Sequence, residues 1–118
     1  MIYTAQHRYT GLDRVDITVK GNHVVGKHLA PTWKMVMDWK NTGDETTYTK
    51  LYYDLIISRY TSDPNAKEVV DNLVRLFGGE HDRSITLVCF CPAKTFCHRY
   101  LLVKFLQHNY NIHYGGER

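Results

Sequence analysis

The sequence predicts an α/β fold, a single three-layer domain over residues 1–118 with a partly parallel sheet flanked by about four helices. Three observations predict it. Strand-like and helix-like segments run in the order β, β, three helices, β, α, β. Ile85–Phe90 is a near-continuous apolar run, the pattern of a central strand covered on both faces. Between the second and third strands lie three successive stretches in which apolar residues recur at helical spacing. A chain of 118 residues normally makes one domain around one core.

Ile2–Ala5 is the first strand, and Arg14–Lys20 alternates strictly as a half-buried second one. Its polar face carries Arg14, Asp16, Thr18 and Lys20. Gly21-Asn22 is a turn signal, and 22–30 reads as an exposed loop in which Lys27 and His28 could form a lid. Pro31 or Thr32 opens the first helix, with Trp33, Val36, Met37 and Lys40 on one face. Asn41-Thr42-Gly43 closes it. A second helix from about Asp44 aligns Tyr48, Leu51, Tyr52, Leu55, Ile56 and Arg59. Ser62-Asp63-Pro64 breaks that run, and Pro64 or Asn65 opens a third helix with Val69, Val70, Leu73, Leu76 and Phe77 inward. After the strand Ile85–Phe90 and a short loop, a fourth helix buries Leu101, Leu102, Phe105 and Leu106. Residues 109–114 supply a last short strand ahead of a Gly115–Arg118 tail.

Composition narrows the function classes. Fifteen Lys and Arg against twelve Asp and Glu leave a formal charge of +3, too mild and too dispersed for a nucleic-acid binder. Aromatic residues at 13% exclude a disordered chain. The apolar runs are far shorter than the roughly 20 residues a bilayer-spanning helix needs, so no membrane partner is expected. The three cysteines, Cys89, Cys91 and Cys97, crowd into one segment, whereas a secreted disulfide framework spreads an even number along the chain. A cytoplasmic protein with reduced thiols is expected.

Chemistry concentrates in 89–99, Cys-Phe-Cys-Pro-Ala-Lys-Thr-Phe-Cys-His-Arg. This is the carboxyl end of a central strand leading into a helix, the edge at which open α/β sheets bind ligands. With Thr95 as N-cap, Cys97 and His98 fall in the first helical turn, where free N–H groups and the helix dipole favour anions. The same field, with Lys94 and Arg99, would lower the Cys97 thiol pKa. Three readings fit. The segment is an anion or nucleotide site in which Arg99 and backbone N–H groups hold the ligand and Cys97 or His98 acts on it. Alternatively Cys89, Cys91, Cys97 and His98 bind zinc, a suitable donor set at unusual spacing. Or the cysteines are core filling, with His98 and Arg99 only capping backbone. No cofactor other than that zinc is expected. P-loop, dinucleotide, zinc-protease and serine-hydrolase motifs are all absent, as is the Cys-x5-Arg spacing of a phosphatase loop.

Leu87-Val88-Cys89-Phe90-Cys91, followed by Phe96-Cys97-His98-Arg99-Tyr100-Leu101-Leu102, resembles the family designated domain of unknown function 488. Residues 14–20, Ala30-Pro31-Thr32-Trp33 and the Gly116-Glu117-Arg118 ending are similar to a phage-encoded branch, which would place the protein in the host cytoplasm. The resemblance implies a compact α/β fold with its site at the Cys-His-Arg segment, and supplies no reaction. The Cys-x-Cys pair is also similar to a motif in families related to nucleoside deoxyribosyltransferases, which points to nucleotide-like ligands.

The expected function is therefore binding, and in an enzymatic version processing, of a small anionic nucleotide-like ligand. Cys97, His98 and Arg99 would be catalytic; Asp16, Arg14, His7, Cys89, Cys91, Lys94 and Thr95 would contact the ligand. Asp16 could orient the His98 imidazole or hold a ribose hydroxyl. Trp33, Trp39, Tyr48, Tyr52 and Tyr53 are candidates for stacking on a base. The ending at Glu117 and Arg118 is expected to pack against the body. Two other classes stand beside this one: a non-catalytic phage protein that sequesters a host nucleotide signal, and a nucleic-acid-associated accessory protein.

Overall fold

The computed structural model describes residues 1–79, 83–91 and 95–118. Four strands, β1 (Ile2–Gln6), β2 (Arg14–Asp16), β3 (Ile85–Cys89) and β4 (Tyr114–Glu117), form one sheet in the order β2-β3-β1-β4. Every pairing is parallel, so the sheet is parallel throughout rather than in part. Ile2 pairs with Ile85 and Gln6 with Cys89, Asp16 sits opposite Val88, and Glu117 opposite Thr4. The register therefore delivers Gln6, Asp16, Cys89 and Glu117 to one carboxyl edge.

Four helices accompany the sheet: α1 (Trp33–Thr42), α2 (Glu45–Ser62), α3 (Pro64–Leu73) and α4 (His98–Asn109). Thr32 Oγ1 accepts from the Met35 N–H at 3.2 Å and starts α1. Gly43, at φ +69°, ends it in the left-handed conformation that glycine adopts without penalty. Asp44 caps α2 through Thr47, and Asp63 caps α3 ahead of Pro64. The core joins Ile2, Val15, Ile17, Ile85 and Leu87 to Tyr52 and Ile56 of α2, Val70 of α3, and Leu102 and Leu106 of α4. Each such fully buried aliphatic side chain stabilises the fold by about 1.5–3 kcal/mol relative to exposure. Among the described residues, no helix is long and apolar enough to cross a membrane.

Several elements differ from the sequence reading, each for a local reason. β2 stops at Asp16 because that carboxylate accepts both the N–H and the hydroxyl of Thr18, at 2.9 and 2.6 Å, turning the chain. A 3₁₀ turn at Gly26–His28 then folds back so closely that a Cβ on Gly26 would stand 2.0 Å from the Asp16 carbonyl oxygen. In α1 the buried residue is Met35, while Trp33 is 55% exposed. Beyond α3 the backbone winds as a π turn, Val74–Gly78. The wider winding puts Val74 and Gly78 inside and leaves Leu76 and Phe77 outside. The last strand lies a few residues later than the expected 109–114, at Tyr114–Glu117: the tail itself pairs with β1, and the Arg118 N–H donates to the Thr4 carbonyl at 2.6 Å. The ending does pack against the body.

Candidate functional site

The Cys-His-Arg segment stands at the carboxyl edge of β3. Cys97, not Thr95, is the N-cap of α4, and its side chain makes no capping bond. Thr95 is exposed, two residues before the helix cap. The hydroxyl's capping preference loses because Cys97 turns its sulfur into the core, 2.6 Å from Cys89 Sγ. Lys94 lies outside the described residues.

Arg99 is fully buried and organises this corner. Its guanidinium donates to Cys89 Sγ at 2.8 Å, to Cys97 Sγ at 3.3 Å and to the Cys91 carbonyl at 2.9 Å. On its other side it donates to both carboxylate oxygens of Glu117, at 2.8 and 3.3 Å, and Tyr100 Oη donates to the same carboxylate. Burial works against the Arg99 charge, but Glu117 and the cysteine sulfurs outweigh it and hold its pKa above the ordinary value. Glu117 is lowered in turn: the bonds from Arg99 overcome its burial. Arg99 is thus engaged inside the protein and fixes the thiols. Direct contact with a ligand, the role the sequence suggested, is not the arrangement it adopts.

The three thiols share charge unequally. Hydrogen bonds from Cys89 and Cys97, with the positive charges of Arg99 and Lys40, outweigh burial and bring the Cys91 thiol down to about 3. The same bonding with Cys89 and Cys91, added to burial, pushes Cys97 up. The low-pKa cysteine is therefore the half-buried Cys91 and not Cys97, for which the sequence predicted a lowered value and which is pushed up instead.

His98 is buried, and burial lowers its pKa and keeps it neutral. Its Nε2 sits 2.8 Å from the Ile17 carbonyl, which can only accept, so Nε2 carries the proton. Nδ1 is left as a lone pair 3.8 Å from Cys97 Sγ. The group orienting His98 is this backbone carbonyl, which has no side-chain signature in the sequence. Asp16 instead spends one oxygen on Thr18, with the other 3.5 Å from His7 Nε2 and 3.8 Å from Arg14. Its bonds to Thr18 outweigh burial and lower its pKa. It forms the turn after Ile17 and so acts on His98 at one remove. Arg14 donates to the Tyr9 and His7 carbonyls, and the His7 ring stacks on Phe90 at 4.1 Å. These three residues line the same edge and brace it.

Beside the thiols lies a cavity of about 260 Å³. Cys89, Cys91, Cys97 and His98 border it together with Trp33, Trp39, Tyr48, Phe90 and Phe96, and Lys20 and Lys40 contribute the charged lining. Trp39 and Tyr48 pack on Phe96 at 5.4 and 5.5 Å, and Lys20 Nζ stands 5.4 Å from the Trp33 ring. The Trp39 indole N–H is buried with no hydrogen-bond partner among the described residues. Of the candidate stacking residues, Trp33, Trp39 and Tyr48 reach the cavity. Tyr52 and Tyr53 do not: their hydroxyls are tied to the Leu29 and Leu101 carbonyls. Lys27 and His28 do not line it either. Sequence reasoning missed Ile17, Phe96 and Lys40; a buried arginine's need for a carboxylate was the signal that could have paired Arg99 with Glu117.

The ligand atoms of Cys89, Cys91 and Cys97 lie within 4.8 Å of one another, close enough to hold a metal ion, and zinc suits three thiols. The Arg99 guanidinium already stands against two of those sulfurs as a fixed cation, in competition with a second one. His98 Nε2 is committed to Ile17, which leaves Nδ1 as its only coordinating atom.

The family described as the active DUF488-N3 subclade matches residues 1–110, and the chain belongs to it. No curated protein and no solved structure matches the chain.

Proposed function

We propose that the cavity binds a small planar anion of the nucleotide class and that its sulfur-lined side acts on that ligand. The observation that carries this reading is the pairing of aromatic walls with the thiol–imidazole cluster in one cavity. Aromatic faces suit a base, with stacking worth about 1–3 kcal/mol per base. Lys20 and Lys40 suit a phosphate. The volume suits one nucleotide-sized molecule rather than a strand, in keeping with the mild net charge. Cys91 would serve as nucleophile, with Cys97 and His98 exchanging a proton beside it and Arg99 holding the sulfurs in place.

Both tryptophans of the chain line this cavity, so intrinsic fluorescence reports on it directly. Titration with nucleoside monophosphates is expected to quench emission, with weaker quenching by nucleosides that lack the phosphate. Lys40→Ala should weaken the monophosphate response and leave the nucleoside response unchanged. Unchanged emission with every nucleotide up to millimolar concentration would overturn the reading. Mass spectrometry of the recovered ligand then separates its two forms. An altered ligand makes the chain an enzyme, while an unchanged one favours sequestration of a nucleotide signal.

A further inference from the structure

We propose that Cys89, Cys91 and Cys97 form a redox-modification site for small hydroperoxides, in which Cys91 is oxidised first and Cys97 captures it as a disulfide. This goes beyond ligand binding and stands without it. Three placements support it. Access is unequal: Cys89 and Cys97 are 1% and 3% exposed, whereas Cys91 is only half-buried and borders the cavity. A small peroxide entering there meets Cys91 first. The cluster also has a built-in counter-charge, since Arg99 donates to two of the sulfurs and to the Cys91 carbonyl. That charge bears directly on the Cys89 and Cys97 sulfurs and reaches Cys91 across the cluster, where it favours the thiolate. Finally, both other sulfurs lie within 4.8 Å of Cys91 Sγ, so an oxidised Cys91 has partners within a short side-chain movement.

The chemistry balances in two steps. The Cys91 thiolate attacks the outer oxygen of the hydroperoxide, the O–O bond breaks, and the alkoxide or hydroxide leaving group takes a proton to leave as alcohol or water. Cys91 is now a sulfenic acid. The Cys97 sulfur then attacks it, the S–O bond breaks, and the hydroxyl leaves as water with the Cys97 proton. The products are a Cys91–Cys97 disulfide, one alcohol or water from the peroxide, and one further water. Cys97 is the capturing thiol because a Cys89–Cys91 bridge would close a tight ring over a single residue.

The test uses the full chain, reduced, freed of reductant and exposed to an equimolar amount of hydrogen peroxide, then alkylated and mapped by mass spectrometry. The expected result is loss of two of the three alkylatable thiols and a cross-linked peptide pair joining Cys91 to Cys97. Cys91→Ser should slow thiol loss by at least about tenfold. Cys97→Ser should halt at a Cys91 sulfenic acid that a 1,3-diketone traps. Retention of all three thiols in the wild-type chain would overturn the proposal, and so would wild-type rates in Cys91→Ser. A Cys89–Cys91 bridge in the wild-type chain would overturn the role of Cys97. The readout is thiol chemistry in the absence of nucleotide, so failure here and failure of the nucleotide reading are separate results.

Discussion

Two kinds of helix start stand side by side in this molecule. α1, α2 and α3 each begin on a side-chain oxygen, from Thr32, Asp44 and Asp63, that accepts a hydrogen bond from a free N–H of the first turn. α4 begins on Cys97, whose sulfur caps nothing and turns instead toward Cys89 and Arg99. Three starts serve the helix, and the fourth serves the corner it enters. Replacing a good cap typically costs about 1 kcal/mol, so α4 forgoes that much at the point where the cluster is assembled. The tertiary bonds of Arg99 and His98 take over the anchoring.

If the α4 start is held by tertiary bonds, removing Arg99 should have the largest effect of any single change. Arg99→Met leaves the Glu117 carboxylate without its buried partner, and a loss on the order of 3–5 kcal/mol is expected in denaturant unfolding. A melt within a degree or two of wild type would break the comparison.

Acid should attack the same corner in a set order. His98 is held neutral with its pKa lowered, so its contribution is complete above the unfolded value near 6.5 and falls away below it. Glu117, also lowered, contributes fully above about 4.3 and loses its share as pH falls toward its folded value. Stability against pH should therefore decline from about pH 6.5 and steepen below about 4.3. His23 and His28, also lowered by burial, share the first decline, so His98→Gln should shrink it and keep the second.

Smaller changes sharpen the contrast. Cys97→Ala should cost roughly 1–2 kcal/mol through lost packing, with amide protection in the first turn of α4 little changed. Thr32→Ala should cost about 1 kcal/mol and show the opposite signature, faster exchange confined to the first turn of α1. Lys34→Ala breaks an exposed i,i+4 pair with Asp38 and should leave the melting temperature unchanged.

Much of the frame was legible because it rests on local rules. Thr32, Asp44 and Pro64 announce helix starts, Gly43 announces a stop, and the apolar run at 85–89 announces the buried central strand. The segment bearing the cysteines was legible for the same reason, since it lies at a strand-to-helix junction. What escaped depends on partners distant in sequence or on backbone. The alternation of 14–20 reads as a strand to Lys20, but the Asp16 carboxylate captures Thr18 and stops it early. The periodicity of α3 runs on to Phe77, but a π turn shifts its phase. His98 is oriented by the Ile17 carbonyl, an atom every residue has. Arg99 looks like a ligand-binding cation until Glu117 folds against it.

The position of β1 bears on how the chain reaches this state. β1 comes first in the sequence, yet its neighbours in the sheet are β3 and β4, at the far end, so Ile2 must find Ile85 and Tyr114. Pairings of such long sequence separation close large loops before they gain anything, and chains that depend on them fold slowly. Until β3 arrives, β1 has no strand partner, and neither the sheet edge nor the thiol cluster at its end can form. During synthesis the apolar first strand is thus left waiting, a stage at which unpaired strands are prone to associate with the wrong chain.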